Sequence, residues 1–120
     1  MTGFRHKGCI IIYSGKVLGR LATQVVILLR GKDKVGFALY KDMGDFVTIK
    51  NIDKIKVTGK KFNDKIYYHH TLFLGGLKQA TMKELSIKKG MSEVFRKAVM
   101  GMLTKNKLRA KQIQRLKFEK

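Results

Sequence analysis

Residues 17–30 read VLGRLATQVVILLR, and this stretch decides how the chain folds. Its apolar residues recur at helical spacing and are Leu18, Leu21, Ala22, Val25, Val26, Leu28 and Leu29. Such spacing indicates an amphipathic helix with one wide buried face. Gly31 follows directly and is a natural stop, because glycine readily adopts the left-handed conformation that ends many helices. The sequence therefore predicts a helix over 17–30.

Strands are predicted on both sides of this helix. The segments IIIY at 10–13 and DFVTIK at 45–50 are rich in β-branched and apolar residues. Two further strands are predicted at 65–69 and 116–118. Residues 54–57 form either a short strand or a helical turn packed under the sheet.

The second half of the chain is predicted to be mostly helical. Thr81 and Glu84 have the spacing of a capping box, and Ser92 is a second possible N-cap. Apolar residues at helical spacing predict a helix over 94–103, and 108–115 is a short basic helix. The order strand, helix, strand, strand, helices, strand predicts an α/β sandwich with a mostly parallel sheet.

The chain is short, with 120 residues, no proline and no visible repeat. These features predict a single domain over 1–120, with a short basic N-terminal extension at 1–9 and a basic C-terminal segment at 96–120. The apolar run after residue 9 is too short for a signal-peptide core or a membrane span. Cys9, the only cysteine, cannot form an internal disulfide, and we expect it to be a small buried residue in a reducing compartment.

The charge of the chain is its most informative property. There are 27 Lys and Arg against 8 Asp and Glu, which gives a net charge of +19. Self-repulsion of this size opposes a compact fold unless a polyanion relieves it, and nucleic acid is the commonest such partner. A membrane surface is a weaker alternative, because the basic residues run through the whole chain and are not confined to one amphipathic helix.

Twelve residues are predicted to contact RNA. Two cations lie near a helix N-terminus, several lie in glycine-containing turns, an aromatic and a histidine end a strand, and four cations lie near the C-terminus. They are Lys16, Arg20, Lys60, Lys61, Lys65, Tyr68, His70, Lys78, Lys105, Lys107, Arg109 and Lys111.

No catalytic residues, metal ligands or cofactors are predicted. The GKVLGR segment at 15–20 has the wrong glycine spacing for a phosphate-binding loop. Asp42 and Asp45 have no third ligand nearby, and we expect them to stabilise the loop around Gly44. His69 and His70 are adjacent on a strand, so they point to opposite faces and cannot easily share a metal.

Eight segments occur in an order that is specific as a series although each is weak alone. They are GKVLGRLAT (15–23), LRGK (29–32), GDFVTIKN (44–51), VTGKK (57–61), KIYYHH (65–70), GGLK (75–78), KAVMGMLTKN (97–106) and RLKF (115–118). This series resembles the ribosomal protein L13 family over most of the chain. The sequence departs from the family pattern at residues 72–74, where Leu-Phe-Leu replaces a Gly-Tyr-Pro-like stretch.

The resemblance implies a three-layer α/β/α sandwich with a four-stranded, mostly parallel sheet. It also implies a structural protein of the large ribosomal subunit that binds large-subunit ribosomal RNA, supports early assembly and touches neighbouring large-subunit proteins, with no membrane or small-molecule partner. The expected location is the bacterial cytoplasm or, alternatively, an organellar ribosome. An RNA-processing or RNA-modifying enzyme and a regulatory RNA-binding protein outside the ribosome are the competing functions. An enzyme would require carboxylates and histidines such as Asp42, Asp45, His69 and His70 to converge.

Overall fold

The computed structural model describes residues 3–6, 9–13 and 15–119, with side chains at Ile12 and from residue 15 onward. The strands are β1 (Gly3–His6), β2 (Cys9–Tyr13), β3 (Phe46–Lys50), β4 (Ile66–His70), β5 (Leu77–Thr81) and β6 (Leu116–Glu119). The helices are α1 (Leu18–Arg30), α2 (Lys61–Asp64), α3 (Met82–Lys89), α4 (Met91–Met102) and α5 (Leu108–Gln114), with a 3-10 turn at Ile52–Lys54. The chain is therefore mixed α/β, as its element order predicted.

The larger sheet has four strands in the order β1-β2-β3-β6. Strands β2, β3 and β6 run parallel, with Ile12 opposite Ile49 and Val47 opposite Leu116. Strand β1 joins the edge antiparallel to β2. This strand was not predicted from the sequence, where residues 1–9 were expected to be a short basic extension. The prediction that Cys9 is buried concerns a side chain outside those that the structure describes.

A second, separate sheet consists of β4 and β5 alone, paired antiparallel. The sequence predicted a strand here, but within a mostly parallel sheet, and that placement is wrong. The chain turns at residues 71–76, where Gly75 has φ +70° and the Thr71 N–H donates to the Gly76 carbonyl at 3.0 Å. This tight turn brings β5 back beside β4, so the two strands satisfy each other's backbone groups and form a hairpin.

Helix α1 supplies much of the core. Six of the seven residues of its predicted apolar face are buried, and Leu18 is half-buried. Leu21, Val25 and Leu29 are fully enclosed. Gly31 ends the helix in the left-handed conformation (φ +73°), and its N–H donates to two carbonyls of the last turn, as predicted. The face packs against side chains of β3 and α4, namely Val47, Ile49, Phe95 and Val99, within one continuous core cluster.

The helices of the second half begin and end close to the predicted positions. Thr81 and Glu84 form the predicted capping box, with each side chain accepting from the other residue's backbone N–H. The prediction that Ser92 is an N-cap is wrong, because α4 already begins at Met91 behind Gly90. Near the C-terminus, Phe118 of β6 packs edge-to-face on Phe95, with ring centroids 6.1 Å apart.

Candidate nucleic-acid interface

One cavity of the described surface, which we call the large groove, has a volume of about 750 Å³. It lies between residues 17–19 at the start of α1, parts of segment 57–65, Tyr67, Met82 and the end of α4 at 97–102. Three predicted RNA contacts, Lys60, Lys61 and Lys65, line it together. The structure thus gathers cations that the sequence had placed only in a basic turn.

Local backbone geometry positions these lysines. Gly59 has φ +66°, a conformation that glycine adopts without strain, and it turns the chain just before Lys60. The carbonyl of Lys60 then accepts from the N–H groups of Asn63 and Asp64, which forms the single helical turn α2. Lys61 therefore begins a short helix and does not lie in a plain loop, but both lysines remain exposed at the groove edge.

The hairpin carries the aromatic residues of the interface. A second cavity of about 460 Å³, the hairpin groove, is lined by Tyr67, Tyr68, His69, Lys78, Gln79, Ala80, Leu85, Lys88, Lys89 and Lys97. Tyr68 is 62% exposed, and Lys78 lies in strand β5 opposite His69, not in the predicted loop. Of the four residues Tyr67 to His70, only Tyr67 packs against the core. Burial raises the pKa of the Tyr67 phenol, which therefore stays neutral at physiological pH.

His70 ends β4, as predicted, and remains exposed. Its Nδ1 accepts a hydrogen bond from the Leu72 N–H at 2.9 Å. A neutral imidazole that accepts at Nδ1 carries its proton on Nε2. This arrangement leaves Nε2–H as a donor for a phosphate or a ribose hydroxyl.

Lys16 and Arg20 lie together at the start of α1. With Gly15, Val17, Gln24 and Lys56 they line a depression of about 430 Å³. The first turn of α1 contains no acidic residue, and the valine before it has no side-chain group to cap the helix. A helix N-terminus of this kind favours an anion, so the position suits the predicted phosphate contact.

The four C-terminal cations form a separate group. Lys105 and Lys107 are exposed in the segment after α4, and Arg109 and Lys111 lie on α5. None of the four lines the three cavities described above. The structure therefore does not bring them into the same site as the groove lysines.

Lys97 lies in the basic segment 96–120 but is not one of the twelve predicted RNA contacts. It lines both the large groove and the hairpin groove, and its Nζ lies 5.6 Å from the centre of the Tyr67 ring. Lys65 lies 5.4 Å from the same ring centre. Because the Lys97 contact joins α4 to a strand 30 residues away in sequence, no local pattern signals it.

The two aspartates of the 42–45 loop hold cations of the protein itself, as predicted. Lys34 Nζ donates to Asp45 Oδ1 at 2.8 Å and to the Met43 carbonyl at 2.7 Å. Asp42 forms an ion pair with Arg115, just before β6. These ion pairs hold the loop to the segment after α1 and to the residue before β6, so the carboxylates have a structural role.

Among the described residues, no three His, Cys, Asp or Glu side chains are grouped so that they could hold a metal ion. Within the same part of the chain, no helix combines the length and apolar character needed to cross a membrane.

The fold and this surface define a small, strongly basic α/β protein with the grooves and exposed aromatic residues typical of nucleic-acid binding. The family model described as "Ribosomal protein L13" matches residues 6–118, and the chain belongs to that family. The "Large ribosomal subunit protein uL13" of Desulfotalea psychrophila is 48% identical over 102 residues, which cover 85% of this chain and 71% of that protein. The protein of the same name from Clostridioides difficile is 44% identical, and the match covers 94% of this chain and 78% of that protein. The one from Brevibacillus brevis is 47% identical, and the match covers 93% of this chain and 77% of that protein.

Proposed function

We propose that this chain is a structural protein of the large ribosomal subunit. It binds large-subunit ribosomal RNA, supports early assembly and contacts neighbouring large-subunit proteins. The observation that carries this proposal is the match to the L13 family across 6–118 in a chain with a net charge of +19. The family is a structural component of the ribosome, so the chain is not an enzyme. Since the relatives named above are bacterial proteins, the proposed location is the ribosome of a bacterial-type cytoplasm.

The RNA contacts proposed for this chain are those predicted from the sequence. Exposed side chains at three places support them: the lysines of the large groove, Lys16 and Arg20 at the start of α1, and the hairpin, where Tyr68 and His70 share one face of β4 and Lys78 lies on the other face with His69. The C-terminal cations form a fourth contact. Lysine and arginine side chains that reach from turns and helix ends can neutralise backbone phosphates without unpacking the core.

We infer the finer architecture, a three-layer α/β/α sandwich in a single domain over 1–120, from the family. The burial of β3 on both faces supports it. Val47 and Ile49 face the core with α1, whereas Thr48 points to the opposite face and is only 7% exposed. A sheet covered on both faces is typical of α/β proteins with parallel strands.

Sucrose-gradient fractionation tests the proposed function. In bacterial cells that express the tagged chain, we expect it to sediment with the large subunit and with 70S particles, and to leave the particles when ribosomal RNA is digested. A chain that stays at the top of the gradient at physiological salt, while the cell's own large-subunit proteins sediment normally, contradicts the proposal.

A further inference from the structure

The large groove contains more than a ring of phosphate-binding lysines. Its volume of about 750 Å³ falls within the range of small-molecule sites in proteins, roughly 300–1,000 Å³. Contacts to an RNA backbone use only the cations at its rim. The rest of the lining is largely apolar and offers a phosphate no partner.

The floor of the groove is apolar. It is formed by Leu18, Val57, Met82, Ala98 and Met102. Gly19 and Gly101 also line the groove, and a Cβ added at either position meets no atom within 4 Å, so there is open space beside both. Apolar surface exposed to water is unfavourable, so a flat apolar group that covers this floor gains free energy.

The rim of the groove is cationic. It carries Lys60, Lys61, Lys65 and Lys97, and Asp64 is the single acid among the lining residues, all of which the structure describes. The Tyr67 ring forms part of the wall, and the ammonium groups of Lys65 and Lys97 lie near it. An aromatic wall flanked by cations suits a planar ring that is attached to a phosphate.

We propose that the large groove holds one unpaired nucleotide of the bound RNA, with its base on the apolar floor beside Tyr67 and its phosphates at the rim lysines. This inference rests on the proposed function and extends it from backbone contact to recognition of single-stranded RNA. Charge complementarity favours this occupant. An apolar peptide segment covers the floor but leaves four ammonium groups unpaired, and an RNA duplex pairs the lysines but leaves the floor in water.

The variant Gly101→Leu tests the open space of the groove without changing the charge of its lining. The variant fills the groove but removes no cation, and a better helix former replaces glycine in α4, so we expect no loss of thermal stability. Ala110→Leu, on the exposed surface of α5, is the matched control. Affinity is measured for an RNA duplex and for the same duplex with one unpaired adenine. We expect the wild type to prefer the bulged RNA about tenfold, within the range that stacking of one base contributes.

Gly101→Leu should lose this preference but keep the duplex affinity and its salt dependence, while the control keeps both. A wild type that does not discriminate between the two RNAs, or a Gly101→Leu variant that still does, overturns the inference. In either case the proposed function stands as long as duplex binding is salt-dependent.

A measurement on the wild type keeps the inference testable should Gly101→Leu fail to fold. Adenosine 5′-monophosphate and ribose 5-phosphate carry the same phosphate, but only the first carries a base. We expect the nucleotide to bind about tenfold more tightly and to shift the amide NMR signals of Gly19 and Gly101. Equal affinities and equal shifts for the two ligands mean that the groove binds phosphate only, which contradicts the inference.

Discussion

Strand β3, an inner strand of the large sheet, and strand β4, the first strand of the hairpin, are equally long but are buried to very different extents. Three of the five residues of β3 are buried, whereas none of the five residues of β4 is. Strand β3 is covered by α1 and by neighbouring strands on both edges. Strand β4 has one strand beside it and only Tyr67 packed against a core cluster.

This difference shows how the chain divides its tasks. Side chains in the region around β3 fill the core. The hairpin is held by its backbone ladder and by the α3 capping box at its end, so its side chains are free to serve binding. The tip continues this trend, because Leu72, Phe73 and Leu74 are 92%, 79% and 106% exposed. Substitutions in the two regions should therefore affect different measurements.

The largest effect is expected in the core. Leu21→Ala removes a fully buried side chain from α1 and should lower the free energy of unfolding by roughly 2–5 kcal/mol. Thermal melting and urea titration measure this loss. RNA affinity, measured well below the melting temperature, should be unchanged. A loss below about 1 kcal/mol would mean that α1 is not packed as described.

Gly44→Ala should have the next largest effect, because the loop passes very close to the end of α1. A Cβ at Gly44 overlaps the Leu29 carbonyl and the Arg115 guanidinium, so the backbone must move. We expect a loss of roughly 1–3 kcal/mol in urea titration, as for other overpacked sites. Gly101→Ala is the matched control, since its Cβ meets nothing, and it should be neutral or slightly stabilising.

Thr81→Ala removes the capping interaction where the hairpin joins α3. The Thr81 hydroxyl accepts from the Glu84 N–H at 3.2 Å, and loss of such a cap costs about 0.5–2 kcal/mol. Hydrogen exchange should show the loss locally, as faster exchange of amides in α3 and β5. Unchanged exchange in both elements contradicts the view that the cap secures the hairpin.

Tyr68→Ala should have the smallest effect on stability and a clear effect on binding. Tyr68 is 62% exposed, so its removal should change the free energy of unfolding by no more than about 0.5 kcal/mol. Loss of a stacked base should weaken RNA binding by roughly 1–3 kcal/mol. Ile87→Ala, another exposed apolar position on the described surface, is the control and should change neither quantity. Full affinity in Tyr68→Ala removes this residue from the interface.

Features fixed by a few neighbouring residues were predictable from the sequence. The apolar face of α1, its end at Gly31 and the capping box at Thr81 all depend on contacts within one or two helical turns. The prediction at Ser92 was wrong because serine only permits a cap and does not require one, and Gly90, with φ +87°, lets α4 begin two residues earlier than a Ser92 cap would.

Features that depend on distant partners were not predictable. Strand β5 reads LKQAT, which has little β-branched character, and it is a strand because β4 pairs with it. The same holds for the site. The sequence predicted RNA contacts at Lys60, Lys61 and Lys65. Lys97 joins them in the groove because its ammonium group lies near the Tyr67 ring, and that contact links α4 to the hairpin.

The most direct test of the account measures affinity for large-subunit ribosomal RNA at several salt concentrations, for wild type, Lys60→Ala/Lys61→Ala and the equally charged control Lys32→Ala/Lys54→Ala. Lys32 and Lys54 are exposed and line none of the grooves described above. We expect the wild-type affinity to fall steeply with salt, and the groove variant to bind more weakly with a salt slope smaller by about two, roughly one for each lost phosphate contact. The control should keep the wild-type slope, and all three proteins should melt at similar temperatures. A groove variant with full affinity and an unchanged slope, or a control that loses as much, contradicts the assignment of the RNA contact to this surface.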